Sequence, residues 1–142
     1  MKKIAALSVV LFALFSCKKD DNKPATKSDY LTSGSWIVTA AVTDDDGDGT
    51  YETDEYADFA PCYKDNVWTF NTNGSVVMDE GATKCAPSDS QVITSQWQLV
   101  NNETGLIMAS DTYSVVQLDA NLIVLKLDYG ANRSSKVTFS KH

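Results

Sequence analysis

The residues best suited to chemistry lie in an acidic segment, Asp44–Glu55, which places seven carboxylates within twelve residues. Oxygen ligands at alternate positions, then a glycine and a final glutamate, form the pattern of a calcium-binding loop. The candidate calcium ligands in that register are Asp44, Asp46, Asp48, the carbonyl of Thr50, and Glu55. The preceding residues alternate like a strand, whereas such loops normally follow a helix. The sequence therefore predicts a weak, structural calcium site, with a solvated acidic loop as the alternative.

Other chemistry is poorly supported. The single histidine, His142, is the last residue, which disfavours histidine-dependent triads and zinc hydrolysis. A paired-carboxylate enzyme needs two acids facing across a cleft, and we interpret Asp79-Glu80 as an exposed turn. The formal charge of −7 disfavours nucleic acid as a partner, because binding to phosphates requires basic surface. We expect no enzymatic activity, no nucleic-acid partner, and no cofactor other than calcium.

The amino-terminal residues have the pattern of a secretory signal. Lys2 and Lys3 precede an apolar run, Ile4–Phe15, that is shorter than a membrane span. The run ends at Cys17 in a sequence that resembles the lipobox of bacterial lipoproteins, where the cysteine is lipidated. We therefore predict a signal peptide over 1–16, a lipidated flexible tether over 17–27 and a folded domain over 28–142. An ordinary signal peptide with a leftover thiol is the alternative.

Two cysteines remain if Cys17 carries lipid. In an oxidising compartment, Cys62 and Cys85 are predicted to form one disulfide. It would close a loop of about 24 residues, which the chain-entropy model credits with roughly 3 kcal/mol.

The domain after residue 34 is dominated by apolar residues at every second position, which is typical of half-buried strands. Turn sequences such as Asn73-Gly74 separate about eight such segments. The pattern predicts an all-β fold, an antiparallel up-and-down barrel of about eight strands. Short helical turns are expected at Ser28–Leu31, with Ser28 as the N-cap, and at Thr53–Phe59.

The predicted strands place large apolar side chains on one face of the sheet. On the first strand, the alternation assigns Trp36, Val38, Ala40 and Val42 to the same face. An eight-stranded barrel either fills its interior with side chains or holds one small ligand. The candidate interior, ligand-binding residues are Trp36, Val38, Trp68, Phe70, Trp97, Leu125 and Phe139. A solid core made of the same residues is the alternative.

A combination of short motifs carries a family resemblance. Gly34-Ser35-Trp36 is followed by Cys62–Asn66, Trp68-Thr69-Phe70, Asn73-Gly74 and Asp79–Cys85. Over about residues 30–140, this pattern resembles the lipocalin-like domain of bacterial outer-membrane lipoproteins. The resemblance implies a barrel whose first-strand tryptophan caps one end. In lipocalins an arginine of the last strand often stacks on that tryptophan, whereas Arg133 lies in a predicted turn.

Together these features predict a lipid-anchored, non-enzymatic binding protein of the cell envelope. The membrane partner would be reached through the lipid on Cys17, on either face of the outer membrane. A small hydrophobic molecule is the expected ligand of the barrel. The alternative is a structural or interaction lipoprotein with a solid core and an acidic, calcium-binding loop, whose protein partner the sequence does not identify.

Overall fold

A computed structural model describes residues 24–130 and 132–142. The predicted signal peptide (1–16) and lipidation site Cys17 lie outside the described residues and stay predictions. The elements, in chain order, are α1 (Lys27–Leu31), β1 (Ser35–Asp44), β2 (Thr53–Asp54), α2 (Pro61–Lys64), β3 (Val67–Phe70), β4 (Ser75–Asp79), β5 (Val92–Val100), β6 (Gly105–Met108), β7 (Asp111–Leu118), β8 (Leu122–Asp128) and β9 (Ser134–Lys141). Within this part of the chain, no helix is long and apolar enough to cross a membrane.

The strands form one antiparallel sheet that closes on itself. Neighbours along the chain pair from β3 to β9, and β1 pairs with β3 along one edge and with β9 along the other. Eight strands therefore make a closed up-and-down barrel, and the two-residue β2 extends its wall beside the end of β1. The all-β barrel predicted from the alternation is confirmed.

The short helices differ from the prediction. Helix α1 is capped by Thr26, whose hydroxyl accepts from the amide of Asp29 at 3.1 Å while the Asp29 carboxylate accepts from the Thr26 amide at 2.8 Å. This reciprocal capping box places the N-cap two residues before the predicted Ser28. The turn predicted over Thr53–Phe59 is wrong for Thr53–Asp54, which form β2, but residues 55–59 do turn, with the Asp58 amide donating to the Glu55 carbonyl and the Phe59 amide to the Tyr56 carbonyl, each at 3.2 Å. The helix follows instead at Pro61, where proline suits the first helical position.

Strand β1 does not keep one face inward along its whole length. Its pairing with β9 shifts between Val38 and Ala40, which is a β-bulge at Thr39. Because one extra residue reverses the side-chain alternation, Ala41 and Thr43 are buried while Ala40 and Val42 are less so. The prediction that Ala40 and Val42 share the inner face of Trp36 is therefore wrong.

The two ends of the barrel differ in their connections. At one end, which we call the closed end, the strands are joined by short turns at 71–74, 101–104 and 119–121. Helix α1 also lies at this end, where the Lys27 ammonium donates to the Glu103 carbonyl at 2.8 Å. At the other end, the open end, the chain follows the longer segments 45–66 and 80–91 and the turn 129–133. Helix α1 and all the strands of the barrel fall between Lys27 and Lys141.

Large apolar side chains fill the closed end. Trp36 is fully buried, and its indole nitrogen donates to the Leu31 carbonyl of α1 at 3.0 Å. Trp97 packs edge-on against Phe70, with ring centroids 5.9 Å apart, and donates to the Asn71 carbonyl at 3.1 Å. Each buried indole N–H therefore has an acceptor, as a stable core requires.

A lysine occupies the place that the family resemblance assigns to an arginine. The Lys141 ammonium of β9 lies 4.5 Å from the centroid of the Trp36 ring and donates to the Ser33 hydroxyl. A Cβ on Gly34 would lie 3.0 Å from the Lys141 side chain, so the glycine leaves room for it. Arg133 instead lies at the open end, 3.0 Å from Asp45. A cation therefore does lie over the first-strand tryptophan, but it is a lysine instead of the arginine that the resemblance implies.

Candidate functional site: the open end of the barrel

Inward-facing residues near the open end border a cavity. Trp68, Met78 and Ile93 are direct cross-strand neighbours on β3, β4 and β5, so they share the inner face. They border an apolar cavity of about 250 Å³, the inner hollow, which Val76, Ser95, Met108, Ala109, Asp111 and Tyr113 complete. Ile93 is 50% exposed although it faces inward, because the barrel opens to solvent here.

A second cavity, the side hollow, lies where the wall is incomplete. Between β2 and β3, residues 38–41 of β1 have no strand partner on that edge, and the segment that includes α2 lies there. The side hollow has a volume of about 470 Å³ and is lined by Val38, Asp58, Phe59, Ala60, Tyr63, Asn66 and Trp68. Trp68 borders both hollows and meets Phe139 edge-on at 6.0 Å, so it separates them.

A third cavity, the β9 hollow, extends the open end along the inner face of β1 and β9. Its volume is about 300 Å³, and it shares Phe59 with the side hollow. Its polar wall contains Thr43, Glu55 and Arg133. The Thr43 hydroxyl donates a hydrogen bond to the Glu55 carboxylate at 3.2 Å. The three cavities, together called the cup, have the size range of small-molecule sites.

The predicted ligand-binding residues divide between the cup and the closed end. Val38 and Trp68 line the cup. Trp36, Phe70, Leu125 and Phe139 are buried in the core, and Trp97 packs against Phe70, so the described cavities do not reach them. Met78, Phe59, Tyr63 and Tyr113 also line the cup and were missed. The Asn73-Gly74 hairpin could have revealed Met78, because it pairs with Trp68.

Buried oxygen atoms without hydrogen-bond partners lie at the open end of β3 and β4. Asn66 and Glu80 are only 9% and 8% exposed, and neither the Asn66 Oδ1 nor the Glu80 Oε2 accepts a hydrogen bond. The two residues are opposite in register, one position beyond the Val67–Asp79 pair. The interpretation of Asp79-Glu80 as an exposed turn is therefore wrong for Glu80, whose amide extends the ladder by donating to Gln91 at 2.9 Å.

The Asp65 carboxylate supports the same corner of the barrel. Its Oδ2 accepts from the amides of Ala82 and Thr83 at 3.1 and 2.9 Å, while its Oδ1 is buried without a partner. A Cβ on Gly81 would lie 2.3 Å from the Asp65 carbonyl, so only glycine fits the adjacent turn. Backbone amides thus hold one oxygen of the carboxylate and leave the other unused.

Tyr113 and Asp111 form the polar part of the inner hollow. Burial, and then the negative charge of Asp111, raise the pKa of the Tyr113 phenol above its ordinary value of 10.0. The neutral phenol therefore faces the Asp111 carboxylate at the border of the hollow.

The predicted disulfide is confirmed, and it spans the open end. Cys62 of α2 is bonded to Cys85 of the β4–β5 segment, with Cα atoms 5.2 Å apart. The bond ties the segment that carries Tyr63 and Asn66 to the segment that follows Glu80. It therefore fixes one wall of the side hollow to the barrel.

The acidic segment forms a structured loop outside the cup. Asp44 is 3% exposed, and its two oxygens accept from the amides of Gly47 and Gly49 at 2.7 and 3.1 Å. Asp44, Asp46 and Asp48 lie together as predicted, with their oxygens within 4.8 Å of one another. The fourth member of this group is Glu52, whereas the predicted Glu55 lies near Thr43 and Arg133.

The backbone at Thr50, whose carbonyl is a predicted calcium ligand, is fixed by a neighbouring carboxylate. The Thr50 amide donates to the Asp48 carboxylate at 2.7 Å, an interaction that lowers the pKa of Asp48. The loop is thus organised by its own backbone amides, and calcium binding stays a prediction.

A large polar hollow of about 640 Å³ lies on the outside of the wall beside this loop. Lys136 stands 3.8 Å from the Tyr51 ring centroid, and Lys126 pairs with Asp128 at 2.9 Å. Each of these two cations therefore already has a partner in the protein.

The family comparison agrees with the barrel. A family model described as a lipocalin-like domain matches residues 32–139. Among solved structures, the chain is similar to a lipocalin-like protein from Bacteroides uniformis ATCC 8492, with 18% sequence identity and a TM-score of 0.44. That match covers 80% of this chain and 99% of the other. Among curated proteins, none matches this chain.

Proposed function

This chain belongs to the lipocalin-like domain family, and on that premise we propose that it is a lipid-anchored envelope protein that binds a small hydrophobic molecule in its cup. The observation that carries the proposal is the contrast within the barrel interior. The closed end is filled by buried side chains, whereas the open end keeps apolar cavities walled by Trp68, Phe59 and Met78. Apolar walls that remain open to solvent suit an apolar ligand.

The position of α1 sets the orientation that an anchored barrel would have. The described chain begins at Pro24 and enters α1, which packs at the closed end through Leu31 and Lys27. A lipidated tether that precedes residue 24 would therefore reach the barrel at its closed end. The cup would face away from the membrane, where a ligand in the aqueous compartment can enter it. We propose that the anchor lies in the outer membrane, on its periplasmic face or on the cell surface, as the resemblance to outer-membrane lipoproteins implies.

Native mass spectrometry of the anchored protein, purified from its own host, tests this function. The expected result is a population whose mass exceeds that of the lipidated chain by one small organic molecule. The excess mass should disappear in a Trp68→Arg variant, which places a charge between the inner and side hollows. Protein that carries no ligand, and that takes up no apolar probe in vitro, would contradict the proposal and favour an interaction role for the exposed rim residues Tyr63 and Ile93.

A further inference from the structure

The charged residues that line the two apolar hollows have the same sign. Asp111 lines the inner hollow and Asp58 lines the side hollow, and both are exposed to solvent. Neither hollow is lined by any lysine or arginine of residues 24–130 and 132–142. An apolar ligand that enters either hollow therefore meets only negative charge at the solvent boundary.

The nearby cations are already engaged with other partners. Lys64 donates to the Ala57 carbonyl at 3.3 Å and lies 4.8 Å from the Tyr56 ring centroid. Lys84 donates to the Asp89 carbonyl at 2.7 Å. Arg133, which lines the β9 hollow, lies between Asp45 at 3.0 Å and Glu55 at 3.9 Å. Within the described residues, none of these three cations forms an ion pair with Asp58 or Asp111.

The wall itself contains acceptors that need a donor. Asn66 lines the side hollow, and its buried oxygen accepts no hydrogen bond, while the buried Glu80 carboxylate lies opposite Asn66 in register. An unsatisfied buried acceptor costs free energy, which a donor on a ligand can offset. In a poorly solvated wall, a carboxylate also exerts a stronger field than it does in water.

Aromatic rings complete the lining. Trp68, Phe59 and Tyr63 surround the side hollow, and Tyr113 stands beside Asp111 in the inner hollow. The faces of such rings attract cations, most strongly when the cation is partly desolvated. Rings, carboxylates and an unsatisfied amide oxygen together form an environment for an ammonium group attached to an apolar body.

We propose that the ligand of the cup is an amphipathic cation, an apolar molecule with an amine or ammonium head, and that the cup excludes lipophilic carboxylates. The inference rests on the proposed function, because it specifies the head group of the molecule that the cup binds. The apolar body lies against Trp68, and the head lies at the solvent boundary of the open end, where Asp58 and Asp111 both favour a positive charge and the Asn66 oxygen can accept a hydrogen bond. Glu80 favours the cation through its field.

Three probes with one alkyl chain and different heads test the proposal: dodecylammonium, dodecanol and dodecanoate. Each is titrated below its micelle concentration into the mature chain, residues 17–142 with Cys17→Ser, while Trp fluorescence is recorded. The expected order of affinity is dodecylammonium, then dodecanol, then dodecanoate. Equal affinities for the three probes, or tighter binding of dodecanoate, would overturn the proposed selection for cations. The proposed binding of an apolar molecule in the cup would still stand. If no probe binds, the proposed function fails as well.

Single-charge variants locate the head group. Asp58→Asn and Asp111→Asn should each weaken dodecylammonium binding about two- to fivefold, the range of a solvent-exposed ion pair. Glu80→Gln keeps the shape of the side chain and should weaken dodecylammonium binding more than either aspartate variant does. Dodecanol binding should stay unchanged in all three variants. Asp128→Asn, in the outer hollow, is the matched control. If the cup variants behave like this control, the head does not face these carboxylates and the proposal is overturned.

Discussion

The two ends of this barrel are built from the same strands, but one end is packed with side chains and the other borders open cavities. At the closed end, short turns and α1 surround Trp36 and Phe70, which are 0% and 2% exposed. At the open end, long segments held by a disulfide surround Trp68 and Ile93, which border open cavities. Side-chain packing therefore stabilises one half of the barrel, whereas covalent and backbone constraints shape the other. Substitutions at the two ends should therefore have different consequences.

The largest effect is expected from removing a tryptophan at the closed end. Trp36→Ala should lower the free energy of unfolding by about 3–5 kcal/mol, because it leaves a cavity and an unsatisfied Leu31 carbonyl. Trp68→Ala should cost less, since the ring already borders cavities, but it should weaken ligand binding. Urea denaturation and probe titration of both variants measure the two effects. The comparison fails if Trp68→Ala is the more destabilising substitution.

The second-largest loss of stability is expected from removing the disulfide. Cys62→Ala with Cys85→Ala should lower stability by about 3 kcal/mol, because the unfolded chain gains freedom. At the open end, amides of the 80–91 segment should exchange faster with solvent, while those of the closed-end strands keep their relative protection. Hydrogen exchange followed by mass spectrometry measures this pattern. Faster exchange concentrated at the closed end would contradict the division of roles.

Two glycines of the acidic loop give a matched pair. Gly47 has φ 80°, and its Cβ would lie 2.4 Å from Asn132, whereas Gly49 has φ 92° with no atom near its Cβ position. Gly49→Ala should therefore cost only backbone strain, about 1–2 kcal/mol. Gly47→Ala adds a clash with the β8–β9 turn and should cost about 2–4 kcal/mol. Thermal denaturation ranks the two, and equal losses would mean that the loop does not pack on that turn.

The smallest expected effect is a pH dependence at the open end. Hydrogen bonds from Thr53 and then Arg133 lower the pKa of Asp45 below its ordinary value of 3.8. The unfolded carboxyl therefore takes up a proton before the folded one, so the stabilisation is present above about pH 4 and is lost as pH falls through the folded-state pKa. Asp45→Asn should make the fall in melting temperature below about pH 4 shallower. An unchanged slope would show that the Asp45 contacts do not form.

Sequence patterns predicted the parts of this molecule that depend on local alternation and turn chemistry. Leu125 and Phe139 are buried as expected, and Gly74 adopts the positive φ that the Asn73-Gly74 turn requires. The bulge at Thr39 was not predictable, because Ala40 and Ala41 suit either face and pairing with β9 decides between them.

The cup was predicted only in part for a similar reason. Its lining comes from segments that approach one another in space, such as Phe59 and Trp68, rather than from one alternating strand. The calcium-loop pattern assigned Glu55 by counting residues, but the pairing of β2 with β1 holds Glu55 near Arg133 and leaves Glu52 beside the aspartates. Tertiary pairing overrode the spacing at both places.

The three tryptophans allow the most direct test that a ligand binds at the open end. In a ¹H–¹⁵N spectrum of the mature chain, each indole N–H gives its own signal, and Trp36 and Trp97 are held by backbone carbonyls at the closed end. On titration with dodecanol, we predict that the Trp68 signal shifts most, while the signals of Trp36, its cross-strand neighbour, and Trp97 shift less. A spectrum in which Trp68 does not move, or in which Trp36 and Trp97 move instead, would contradict the account.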